Sequence, residues 1–184
     1  MQALTIRSVL FLLAFTLSLY NIPTADAASK TEINAKVRAT MTTFYSTIKS
    51  GKELANKAVG MLVFPEVYKA GFVAGGEYGE GAMLEGGKTT AYYNTAAASI
   101  GFQFGAQVKS QVIMFMTRDA LKAFKASDGW KAGVDGSVAL VTIGAGGEID
   151  TNNIKDPIIG FIFSNKGLMY NLTFEGSKIS KMDK

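Results

Sequence analysis

Between Ser29 and Ser50 the apolar residues Ile33, Val37, Met41, Phe44 and Ile48 follow one another at steps of four, four, three and four. That spacing places them on one face of a helix. Ser29 with Glu32 three positions later resembles a capping box, and Gly51 is the expected stop. The other side of the helix carries Lys30, Lys36, Arg38, Lys49 and several threonines, so the helix is amphipathic with a basic polar face. Such a stripe serves either as a core-packing face or as a membrane-surface face.

Beyond Lys52 the pattern changes to short, glycine-rich apolar runs: Val59 to Phe64, Gly71 to Gly76, Gly81 to Leu84, Thr89 to Tyr93 and Ala97 to Phe104. Val108 to Met116, Ser137 to Ile143, Ile158 to Phe163 and Leu168 to Phe174 follow. These read as strands, with the last two joined as a hairpin through Ser164-Asn165-Lys166-Gly167. A spacing of about ten residues predicts a barrel or strongly curved sheet rather than alternating strands and helices. Glycines within the runs permit the bends that curvature needs. Thr117 caps a short helix expected over 117–127, with Leu121 and Phe124 facing inward. The expected fold is therefore α+β: an N-terminal amphipathic helix packed on a glycine-rich, mostly antiparallel curved sheet or barrel.

The first residues change the picture of where the domain starts. Arg7 precedes the apolar run from Val9 to Phe15, which continues through Leu17 and Leu19 and ends at Pro23 and Ala25-Asp26-Ala27. This reads as a signal peptide over 1–27 with a small-residue cleavage site, the domain occupying 28–184 and the product being periplasmic or secreted. The formal charge is +4, from 19 basic and 15 acidic residues. Loss of Arg7 and Asp26 with the leader leaves it unchanged. This mild excess is not of the nucleic-acid-binding kind.

The chain has no histidine and no cysteine. That excludes His-dependent triads, Cys nucleophiles, disulfides and zinc sites built on those ligands. The glycines after Ile143 lack the small residue and helix that a dinucleotide-binding turn requires, and no phosphate loop is present. Glu77, Glu80 and Glu85 lie close together but among glycines, which suggests turns or an exposed rim rather than a hydrolase pair. The acids near Asp150 and Asp156 lack calcium-loop spacing. Trp130 reads as a core anchor. No cofactor is expected, and the chain is expected not to be an enzyme.

Four stretches together resemble the SYLF family: Leu62 to Phe64-Pro65 running on to Gly81, Ala98 to Gln107, Ala132 to Ser137, and Ile162 to Met169. The resemblance implies binding of membrane lipid, assisted by an amphipathic N-terminal helix and basic residues, and actin binding in some eukaryotic relatives. Actin is not expected in an exported protein's compartment. The expected partner is anionic phospholipid or a membrane surface, with Lys36, Arg38, Lys69, Lys131 and Lys166 as the candidate contacts. The alternative is an envelope module that binds a protein or polymer without direct lipid contact. The sequence sets no oligomeric state.

Overall fold

A computed structural model describes residues 28–71, 74–100, 105–141, 155–167, 173, 174 and 176–184. The expected leader over 1–27 lies outside the described residues, as does most of the stretch expected as a strand from Leu168.

Helix α1 spans Lys30–Thr47, and the Ser29 hydroxyl accepts a hydrogen bond from the Glu32 N–H at 3.2 Å, as its cap. The predicted stop at Gly51 is instead the first residue of a second helix, α2 (Gly51–Lys57). Glycine is needed there because a Cβ would stand 2.8 Å from the Phe44 ring. Helix α3 spans Arg118–Ala126, with the Thr117 hydroxyl capping the Ala120 N–H and Leu121 and Phe124 buried.

Eight strands form one sheet: β1 (Gly60–Gly71), β2 (Ala74–Glu85), β3 (Lys88–Ile100), β4 (Gly105–Phe115), β5 (Trp130–Lys131), β6 (Ala139–Leu140), β7 (Ile158–Gly167) and β8 (Lys178–Met182). Their order is β5-β8-β3-β2-β1-β4-β7-β6, antiparallel except for the β6–β7 pair. The strands are longer than the apolar runs suggested. The run from Gly71 to Gly76 is divided between two strands, with Gly71 closing β1 and Ala74 opening β2, and the runs at Thr89 and Ala97 are one strand. The proposed hairpin turn at Ser164 is also absent: β7 continues to Gly167, with Ser164 at φ 52° beside a register shift against β4.

The connection from β5 to β6 shows how strongly the sheet curls. In a flat sheet the seven spacings between these edges would hold them about 34 Å apart. The chain from Lys131 to Ala139 reaches at most about 28 Å when fully extended. It is not extended, since the Asp135 N–H donates to the Lys131 carbonyl at 2.9 Å and Ala132 bridges Gly136. The sheet is a half-barrel whose edges approach each other across its inner face. Leu62, Phe64, Val67, Met83, Ile113 and Phe115 fill that inner face together with Phe124, Trp130, Phe174 and Ile179. Phe124 packs on Phe115, Tyr93 and Trp130 with ring centroids 4.8–5.7 Å apart. The outer face carries a second core, where Ile33, Val37, Met41 and Phe44 of α1 cover Met61, Val63, Val112, Met114, Phe161 and Phe163. The stripe on α1 is thus a core-packing face.

Candidate functional site

Helix α1 covers only part of the outer face. The part left open lies toward the end of the sheet where β1 meets β2 and β3 meets β4. Cross-strand register aligns Val108, Tyr68, Tyr78 and Ala96 in one row across β4, β1, β2 and β3. The next row holds Ala106, Ala70, Gly76 and Ala98. No charged residue stands in either row of four. Tyr68 and Tyr78 are the large side chains, 54% and 48% exposed. The first row continues to Lys166 on β7, which pairs with Val108, and to Lys178 on β8, which pairs with Ala96. An uncharged strip is therefore flanked by a lysine position on either side.

Between this strip and α1 runs a cleft of about 480 Å³ lined by Ala28, Ile33, Pro65, Tyr68 and Tyr78 among others. Its ionic rim is internally compensated. The Lys36 ammonium bonds Glu66 at 2.9 Å and Glu32 at 3.0 Å, and those hydrogen bonds raise its pKa and lower that of Glu66. Glu80 accepts from the Tyr78 hydroxyl at 2.9 Å, from the Ala28 N–H at 3.1 Å and from Lys184 at 3.2 Å. Lys184 also donates to the Ala28 carbonyl. Burial, reinforced by the bond to Glu80, pushes the Tyr78 hydroxyl up to about 12.

The inner face behind the strip is polar. Lys109 donates to Glu77 at 3.0 Å, with both side chains buried, and Gln111 donates to the other Glu77 oxygen at 3.3 Å. Lys69 stands between Glu77 and Gln107 in register and is 7% exposed. The expectation that Glu77 occupies a turn or exposed rim fails: it lies within β2 on the inner face, and Glu80 and Glu85 also lie within β2.

The five candidate cations do not form one patch. Lys36 is neutralised at the cleft, and Arg38 is exposed on α1 one residue beyond buried Val37. Lys69 points inward, and Lys131 on β5 lies opposite Lys178. Lys166 falls at the strip's β7 flank by backbone position. What sequence reasoning missed is the strip itself. Its signal was the coincidence of Tyr68, Ala70, Tyr78, Ala96, Ala98 and Ala106 at outward positions of long strands.

The chain thus places a helix on one face of a curled sheet, with an uncharged aromatic strip beside it. Residues 96–184 match the family model Ysc84, described as Las17-binding protein actin regulator. The matched family is the SYLF family that the sequence motifs resemble. No curated protein matches the chain. Among the described residues, no helix is long and apolar enough to cross a membrane.

Proposed function

We propose that this is a non-enzymatic lipid-binding domain, exported to the periplasm or beyond, that docks on anionic membrane surfaces of the cell envelope. The observation that carries this reading is the uncharged Tyr68–Tyr78 strip with lysine positions at its flanks. Tyrosine has an apolar ring and a polar tip, which suits the boundary between headgroups and acyl chains. Flanking lysines add attraction to anionic phospholipid that weakens as salt rises. The stripe of α1 is occupied by the core, so the helix contributes through its outer residue Arg38 and the cleft beside it rather than by lying in the membrane.

The test is co-sedimentation of the chain from Ala28 to Lys184 with neutral and anionic vesicles at low and high salt. Salt-sensitive binding to anionic vesicles, abolished by replacing Tyr68 and Tyr78 with Glu, is the expected result. Binding that survives those substitutions would move the contact elsewhere. The family description names protein partners, Las17 and actin, and so favours a second reading in which the strip receives a protein or polymer. Absence of vesicle binding at low salt would select that reading, with an envelope partner in place of actin.

A further inference from the structure

Ala28 and Lys184, 156 residues apart in the chain, meet at one carboxylate. Glu80 Oε2 accepts from the Ala28 N–H at 3.1 Å and from the Lys184 ammonium at 3.2 Å, while the Tyr78 hydroxyl donates to Oε1 at 2.9 Å. Lys184 completes the ring of contacts by donating to the Ala28 carbonyl. The side chains of Glu80 and Lys184 are only 11% and 12% exposed. Ala28 also packs against the outer-face core and lines the cleft beside Tyr78. Its backbone nitrogen is therefore held against a largely buried carboxylate.

Ala28 is also the first residue after the Ala25-Asp26-Ala27 cleavage signal. Hydrolysis of the Ala27–Ala28 peptide bond by a leader peptidase adds water across it, leaving a carboxylate on Ala27 and an ammonium on Ala28. A neutral N–H donor then becomes a cation with three donors. That cation falls immediately before Ser29, the cap of α1, where the helix dipole disfavours positive charge. Glu80 offsets it, whereas Glu32 and Glu66 across the cleft are already bonded to Lys36. Lys184 shares the same Glu80 oxygen, but two donors on one acceptor stand farther from each other than from it. Attraction to Glu80 therefore outweighs their mutual repulsion.

We propose that Glu80 is the receptor for the α-ammonium group created by cleavage after Ala27. Processing at that one bond adds an ion pair to the fold and fixes the Ala28 wall of the cleft. An uncut chain offers Glu80 only a neutral N–H. The processing step rests on the export proposed above; the pairing of a free Ala28 amine with Glu80 does not, and neither depends on lipid binding.

The experiment expresses the full chain in a bacterial host and reads the N-terminus of the exported product by intact mass. Melting temperatures are then compared for the chain from Ala28 to Lys184 with a free and with an acetylated α-amine, each as wild type and as Glu80→Gln. Acetylation keeps the amide N–H and removes the charge, as the uncut chain does. The expected product begins at Ala28. With Glu80 present, acetylation lowers the melting temperature by about 2–4 °C, the shift of one charge-assisted contact in a chain of this size. Extending the free chain by Ala27 has the same effect, because it moves the ammonium away from Glu80. In Glu80→Gln the difference vanishes or reverses, since a cation at the start of a helix then has no counterion.

An acetylation effect that is equal in both backgrounds, or absent with Glu80 in place, would overturn the pairing and leave export standing. A product cut at another bond would overturn the processing role, again with export intact. A product that keeps residues 1–27 would overturn export and the processing role together, while the melting comparison still decides whether Glu80 holds the amine.

Discussion

Phe174 lies with its ring edge in the space that a side chain on Gly160 would need. A Cβ at Gly160 would collide with that ring and stand 2.6 Å from a methyl of Val138. Phe174 belongs to the segment whose Gly176 N–H bonds the Ala132 carbonyl near the β5 edge, whereas Gly160 sits on β7 near the other edge. One ring thus spans the narrowing between the two edges, and only glycine lets it close. Gly160→Ala should destabilise the fold by about 1–3 kcal/mol, as overpacking of a filled core does. Adding Phe174→Leu should recover part of the loss; denaturant unfolding of the single and double variants measures both.

The Lys109–Glu77 pair predicts a different pattern of loss and rescue. Glu77→Leu leaves a fully buried ammonium unpaired and should cost about 3–5 kcal/mol. Pairing it with Lys109→Met removes the orphaned charge and should return most of that stability. A double-mutant cycle showing simple additivity would mean the two groups do not interact.

Stability should decline at both ends of the pH range. On the acid side, the Lys36 hydrogen bond holds Glu66, and the Lys125 and Thr90 bonds hold Glu85, below the ordinary 4.5. A carboxylate that is more acidic when folded stabilises the native state above its unfolded value. That contribution is lost as pH falls from about 4.5 through the lower folded values. On the alkaline side, Tyr78 is pushed from 10.0 up to about 12. Its protonated form favours the fold below pH 10, and the benefit disappears as pH rises from 10 towards 12. Chemical denaturation across pH should show both slopes, and Tyr78→Phe should flatten the alkaline one.

The cap of α1 supplies a smaller effect. Ser29→Ala removes the acceptor of the Glu32 N–H and should cost about 1 kcal/mol, read as a lower denaturation midpoint at unchanged slope.

The elements most legible in the sequence were those with strong local signals. The regular steps of Ile33, Val37, Met41 and Phe44 and the caps Ser29 and Thr117 mark α1 and α3 correctly, and the glycine-rich runs indicate the curved sheet. Strand β8 was illegible because Ile179 is its one buried residue among Lys178, Ser180 and Lys181. The polar end of the inner face was hidden by a bulge. Leu62 and Phe64 face inward, so unbroken alternation would turn Glu66 and Tyr68 inward as well. The register shift between Val63 and Glu66 reverses the phase, turning Val67 and Lys69 inward and leaving Tyr68 outside. One inserted residue thus produces both the outer tyrosine strip and the buried lysine behind it.

The segment from Trp130 to Leu140 forms both outermost strands of the sheet, each only two residues long. Open edges are where sheets recruit foreign strands, and short edge strands limit that hazard. Here a single stretch of chain guards both borders. Exposed Gly133, Val134 and Asp135 lie in the middle of that stretch, so one protease cut there would release two guards together and leave β8 and β7 open to strand exchange between molecules. The half-barrel's resistance to self-assembly is therefore concentrated in one surface turn.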